Sequence, residues 1–297
     1  MKKPLVMIML LAALPGLQGG EGPKAAAEPA TIGGILSQIS EAEILATARD
    51  LQGFDTRKEG SPGNAGAAAY LFKRFSAIPG LAVACQGGAQ SNVVATLEGA
   101  GTSSNAVYIA GAHYDSTSGT PGPAPGATDN ACGVGIVLEL ARVMSRYTYK
   151  SALKFAVWNS EETGGRGSRA YAGEAALNHE HIALYLNFDS SGYDPSNRLV
   201  LDIVCNGKSS DVADLMEKDN ILYGLGFTVT RNAHACFSDH TPFWEKGFRS
   251  VMTHSEGHGP AHTDGDTADK ISSPYAKKNA QLGIAVLAEL AGLSTSR

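Results

Sequence analysis

Apolar and polar positions along this chain follow two alternating periods. Past residue 34, apolar residues recur at helical spacing over 42–52 and 64–75, with the loop Arg57-Lys-Glu-Gly-Ser-Pro between them. Short apolar runs then alternate with amphipathic segments. The runs predict strands at 92–97, 107–111, 153–158, 184–188, 199–204 and 250–253. The intervening segments predict helices at 133–147, 169–177, 210–222 and 274–293; in the first, Ile136, Leu140, Val143 and Met144 share one face. This alternation predicts an α/β fold, a mostly parallel mixed central sheet with helices on both faces. No internal repeat or boundary interrupts it, so a single domain is expected over 35–297.

The N-terminus has a different character. Lys2 and Lys3 precede an apolar stretch over 5–17 that Pro15 interrupts, and small residues follow at Gly19, Gly20 and Ala25 to Ala27. The stretch is short for a bilayer span and has the order of a signal peptide. Residues 1–20 are therefore expected to be removed on export and residues 21–34 to form a flexible lead-in. The mature protein is expected to be secreted or periplasmic and free of the membrane. Composition adds little: 297 residues, a formal net charge of −5 and no Lys/Arg cluster speak against a nucleic-acid partner. Four cysteines, Cys85, Cys132, Cys205 and Cys236, match no zinc-ribbon spacing and are read as core thiols or at most two bridges.

In parallel α/β folds, function gathers at the carboxyl ends of the strands. His113 and Asp115 follow the strand at 107–111, and Asp129 lies in Gly126-Ala-Thr-Asp-Asn-Ala-Cys-Gly just before a helix. Glu161 and Glu162 follow the strand at 153–158, Asp189 ends the next, and His254, His258 and His262 sit in the loop expected after 250–253. Imidazole and carboxylate without thiolate suit zinc or a similar divalent ion. One catalytic zinc needs about three protein ligands, and this set offers more, which suggests two ions about 3.5–4 Å apart bridged by a carboxylate. Asp129 is the natural bridge. Two such ions would balance the charges of Asp129, Glu161, Glu162 and Asp189, which would otherwise repel.

Gly111-Ala-His-Tyr-Asp-Ser, the Gly126–Gly133 stretch, Asn159-Ser-Glu-Glu-Thr-Gly-Gly-Arg-Gly-Ser, Leu186-Asn-Phe-Asp, Ser238-Asp-His and His262-Thr followed by Asp266-Thr together resemble the two-zinc exopeptidases of the secreted bacterial leucyl aminopeptidase type. The resemblance covers about Leu51 to Leu293 and implies the zinc-exopeptidase, phosphorylase/hydrolase-like fold. It implies His113 and Asp189 on one zinc, Glu162 and His262 on the other, Asp129 between them, Glu161 as general base and Asp115 orienting His113 through its other ring proton. At a strand end the neighbouring Glu161 and Glu162 can point to opposite sides, one to metal and one to water. The expected substrates are peptides with a free N-terminus, cut by a monomer.

Several features have plainer readings. His179 and His181 are read as solvated, Trp158 and Phe188 as core, Cys132 as a small buried side chain, and Ser238-Asp239-His240 as a structural loop under the site. The family often carries a Tyr near the site to polarise the scissile carbonyl. Here Ala261 precedes His262 and the earlier loop reads Asn232-Ala-His-Ala-Cys-Phe, which leaves His234 for that role. The rival functions are a one-zinc glutaminyl cyclase and a carboxypeptidase or dipeptidase on the same scaffold. Side-chain preference, which the Gly/Pro-rich loop 118–126 could rim, is not legible.

Overall fold

The computed structural model describes residues 31–87, 91–101, 105–233, 235–257 and 259–296. The expected signal peptide and most of the lead-in lie outside these residues. The last lead-in residues are helical: α1, Ile32–Leu36, buries Ile35 and Leu36. Helices α2 (Glu41–Gln52) and α3 (Pro62–Ser76) start where the local chemistry dictates. Ser40 accepts the Glu43 N–H with two glutamates in the first turn, and Ser61 caps α3 with Pro62 in its opening turn.

The strands are β1 (Ala82–Gln86), β2 (Asn92–Leu97), β3 (Val107–His113), β4 (Tyr147–Tyr149), β5 (Ala152–Trp158), β6 (Ile182–Phe188), β7 (Val200–Cys205), β8 (Thr228–Asn232), β9 (Ser250–Ser255) and β10 (Leu293–Ser296). The remaining helices are α4 (Cys132–Met144), α5 (Arg166–Leu177), α6 (Ser210–Leu222), α7 (His240–Glu245) and α8 (Ser273–Ala291). Eight strands form one sheet in the order β1-β2-β5-β3-β6-β9-β7-β8. Its centre, β5-β3-β6-β9, is parallel, and β2 and β7 flank it antiparallel. The mixed, centrally parallel sheet matches the expected fold class.

Side chains alternate across the sheet. On β3, Val107 and Ile109 join a smaller core with Trp158, Tyr185 and Phe243, under α5 and α7. Ala110 and Ala112 face the larger core built with α2, α4 and α8. Trp158 and Phe188 are fully buried, as expected. Edge strands β1 and β8, the small β4–β10 pair and the short α7 were not anticipated. Their exposed or short patterns carry no strong periodicity, and pairing with neighbours decides them. β9 also runs two residues further than expected, so His254 is a buried strand residue rather than part of the loop.

Candidate metal centre

Five segments deliver polar side chains to the carboxyl edge of the parallel strands. His113 is the last residue of β3, Asp189 follows β6, and Glu161 and Glu162 lie in the turn after β5. Asp129 lies in an irregular turn, Ala127–Ala131, before α4, and His262 in the loop after β9. Asp129 presents one carboxylate oxygen to each imidazole: Oδ1 is 3.1 Å from His113 Nε2 and Oδ2 is 3.1 Å from His262 Nε2. Asp189 Oδ1 stands 3.5 Å from His113 Nε2, and Glu162 Oε2 stands 3.0 Å from His262 Nε2. His113, Asp129 and Asp189 thus form one cluster and Asp129, Glu162 and His262 a second, with potential ligand atoms in each within 4.8 Å of one another.

The turns that carry Asp129, Glu161 and Glu162 are held from behind through their main chain. Asp266 accepts the main-chain N–H of Thr128 at 2.8 Å and of Asp129 at 3.0 Å, and the Thr128 hydroxyl at 2.7 Å. Asn130 then caps the start of α4, accepting from Gly133 N–H and donating to the Phe188 carbonyl. Gly133 must be glycine here, because a Cβ would stand 2.4 Å from that same Phe188 oxygen. The Asp115 carboxylate accepts the main-chain N–H of both Glu161 and Glu162 at 3.1 Å. It also lies 3.5 Å from His113 Nδ1, but the ring's hydrogen bond, at 3.2 Å, goes to the Asp115 main-chain carbonyl. The hydrogen bonds of the Asp115 carboxylate thus seat the glutamate turn. That turn, not strand alternation, separates the two glutamates. β5 ends at Trp158, and Ser160 takes a left-handed φ of 64°. Ser190 and His262 are left-handed as well, at 46° and 59°, and such conformations gather at functional sites.

The donor set fits a divalent metal. His113 Nε2 and Glu162 Oε1 are buried without a hydrogen-bond partner, which folded proteins seldom tolerate. Both residues belong to clusters of imidazole nitrogen and carboxylate oxygen, the set that suits zinc. Without a cation the charges work against one another. Burial, only partly offset by His113, and the charges of Asp189, Asp239 and Glu162 push Glu161 up to about 10. Burial alone would lower the His113 ring, but Glu161, Asp189, Asp115 and Asp129 hold it well above its ordinary value. Asp129 and Glu162 hold the His262 ring up at about 10.

These shifts set a pH dependence for the metal-free protein. A group whose pKa is raised on folding stabilises the fold while protonated and loses that contribution as pH rises through the folded value. His262 acts from its ordinary 6.5 up to about 10, and His113 and Glu161 act in the same direction. His240, lowered by burial to about 4, acts oppositely but below 6.5. The Tm of chelator-treated protein is therefore expected to fall between pH 6.5 and about 10. Zinc-loaded protein should hold its Tm over the same window, since the cation replaces the protons. Equal slopes with and without zinc would contradict this account.

All seven sequence-derived site residues, His113, Asp115, Asp129, Glu161, Glu162, Asp189 and His262, thus meet at one edge. His254 belongs to neither cluster; its Nδ1 lies 3.1 Å from the Asp189 carbonyl. His258 and His234 lie outside the described residues. Cys132 is fully buried, and burial pushes its thiol up to about 12. Cys205 is buried too, whereas Cys85 and Cys236 are exposed rather than core, and none of the four forms a disulfide. His179 and His181 are exposed. Ser238 accepts from Asn187, and Asp239 is fully buried, its pKa raised to about 7 by burial. The loop 118–126 reaches the site through Gly119, whose N–H donates to the His262 carbonyl. Two contributors escaped the sequence: Arg57 and Asp266. Asp266 stood in a quoted motif but without a role, and its contact with Asp129 spans a long loop closure that no local pattern encodes.

The profile of peptidase family M28 matches residues 92–287, well over half of the chain. A probable zinc metalloprotease from Pyrenophora tritici-repentis is 34% identical over 148 residues, covering 48% of this chain and 30% of that protein. A leucine aminopeptidase 1 from Coccidioides posadasii is 28% identical over 221 residues, covering 68% of this chain and 56% of that protein. The chain thus spans only a third to a half or so of the length of these curated relatives. The fold is that of the Legionella pneumophila LapA aminopeptidase, with a TM-score of 0.80 at 20% identity over 93% of this chain and 78% of the other. A Fimbriiglobus ruber glutaminyl cyclase shares it at a TM-score of 0.72 and 19% identity, over 84% and 94% of the two chains. The fold alone therefore does not separate two chemistries, but the sequence match is to one family, and the chain belongs to peptidase family M28.

Proposed function

We propose that the chain is a two-zinc aminopeptidase, and one observation carries this reading: Asp129 offers its two oxygens to two different imidazoles, so one carboxylate is shared by two ligand clusters. His113, Asp129 and Asp189 would hold one ion and Asp129, Glu162 and His262 the other. Bound zinc supplies a water of lowered pKa and a Lewis acid for the scissile carbonyl. Glu161 belongs to neither cluster, so its carboxylate is left to handle the proton. It takes one from the attacking water as the oxygen bonds to the carbonyl carbon, and gives it to the amine nitrogen as the C–N bond breaks. Beside bound cations the Glu161 carboxyl would be held in the carboxylate form this role needs. Asp115 keeps Glu161 and Glu162 in place through their N–H groups.

Beside Glu161 opens a cavity of about 200 Å³ lined by Gly164, Gly165, Phe237, Thr241 and Pro242. It is sized for a single side chain next to the proton-transfer group, which suits an enzyme that removes residues one at a time. The glutaminyl cyclase alternative works with one zinc and leaves one of the two clusters without a purpose. Export through residues 1–20, action outside the cytoplasm as a monomer and peptide substrates with a free N-terminus complete the proposal. Among the described residues no helix is long and apolar enough to cross a membrane.

The test is hydrolysis of aminoacyl-p-nitroanilides with and without a chelator, alongside zinc content per chain. Two zinc ions and chelator-sensitive release are expected. One zinc, no release and cyclisation of an N-terminal Gln peptide would replace the aminopeptidase with the cyclase.

A further inference from the structure

Arg57 lies in the loop between α2 and α3 and is fully buried. Among the described residues it forms no ion pair within 4.0 Å; its guanidinium is spent entirely on main-chain carbonyls. Nε donates to Tyr114 at 2.7 Å, Nη1 to Pro125 at 2.6 Å and Leu51 at 3.2 Å, and Nη2 to Gly126 at 2.8 Å. The Arg57 main chain continues the pattern. Its N–H donates to Ser116 Oγ at 3.1 Å, and its carbonyl accepts from Asn64 Nδ2 at 2.9 Å. Asn64 and Asn159 pair their amides reciprocally, at 2.9 and 3.0 Å, and Asn159 Oδ1 accepts the Ser160 N–H.

The guanidinium's partners fall on two segments of the site: Tyr114 immediately precedes Asp115, and Gly126 opens the turn that carries Asp129. A third segment, where Ser160 immediately precedes Glu161, is reached from the Arg57 main-chain carbonyl through Asn64 and Asn159. Gly126 has a left-handed φ of 50°, and a Cβ there would stand 2.9 Å from Arg57 Nη2, so only glycine lets the fork reach that carbonyl. A buried cation without a carboxylate partner is costly. Here its field falls on Asp115, Asp266, Asp129 and Glu162, carboxylates that must converge before any metal arrives.

We propose that Arg57 is a positioning residue of the metal centre: its planar fork fixes the relative placement of the segments bearing Asp115 and Asp129, its main-chain carbonyl extends that bracing through Asn64 and Asn159 to the turn of Glu161–Glu162, and its charge lets their carboxylates gather. This rests on the two-zinc reading above. A lysine would keep the charge but, as a point donor on a flexible stem, could not span the carbonyls of Tyr114, Pro125 and Gly126 together.

The experiment is zinc titration of the metal-free full chain in competition with a chromophoric chelator, for wild type, Arg57→Lys and Ser116→Ala, with far-UV circular dichroism to report folding. Folded Arg57→Lys is expected to bind zinc about 10- to 100-fold more weakly than wild type, the usual loss when a group behind a metal ligand is removed. Ser116→Ala releases the main-chain anchor without stranding a charge, so it tests the same clamp if Arg57→Lys does not fold; a several-fold weaker affinity is expected. Wild-type zinc affinity in a folded Arg57→Lys overturns the proposal, since a merely structural arginine would lower Tm and leave affinity alone. So does wild-type affinity in Ser116→Ala where Arg57→Lys fails to fold. A wild-type chain that binds no zinc overturns the two-zinc reading itself.

Discussion

Replacing Glu161 by Gln is expected to lower kcat by about 100- to 10,000-fold, the usual worth of a positioned general base, while zinc content stays at the wild-type level. An amide has nearly the same shape but cannot accept the proton. The Glu161 N–H that Asp115 holds belongs to the main chain and survives the substitution, so the turn stays seated. Glu161 lies outside both ligand clusters, so neither ion should leave. The informative measurement is kcat and zinc content on the same preparation. Wild-type kcat would remove Glu161 from the chemistry, and a loss of zinc would make it a ligand instead.

Asp129→Ala should act on the metals first. Asp129 is common to both clusters, so its loss strips a ligand from each. Zinc content is expected to fall to at most one ion per chain, and kcat/KM to fall by more than the about 100-fold that removing a group behind a ligand costs. The Asp266 anchor makes the comparison clean. Asp266 grips the Asp129 main-chain N–H and Thr128, not the Asp129 side chain, so the turn keeps its support. Two zinc ions retained by Asp129→Ala would show that another carboxylate bridges. The pair of substitutions separates roles that activity alone would merge: one should abolish turnover with metal in place, the other by removing the metal.

Much of the fold was legible from periodicity. The central strands read as apolar runs because they are buried on both faces, and the predicted helices 42–52 and 210–222 match α2 and α6 within a residue. The chemistry was legible for a related reason. A strand end is the one place in a parallel sheet where a polar side chain can sit at the edge of the core without burying an unpaired main chain. His113, Glu161, Glu162 and Asp189 therefore stood out against the apolar runs before them. His254 was misplaced because β9 ends in polar residues, and His254 and Ser255, following Thr253, read as loop. Burial there is satisfied by partners remote in sequence, such as Ser191 and Asn279 on Thr253.

The sequence by itself determined which residue types are available for metal and proton chemistry and which strand delivers each, because period and strand-end position are local properties of the chain. Only the tertiary structure decided how those residues face one another. That Asp129 points one oxygen at each histidine depends on Asp266 gripping its turn from 137 residues away. That Glu161 and Glu162 diverge depends on Asp115 from another strand end, 46 and 47 residues earlier. That Arg57 braces the Asp115 and Asp129 segments together depends on carbonyls 57 and 69 residues distant. These are loop closures, each costing chain entropy that is repaid only in the folded protein, so no pattern within a window of the sequence records them.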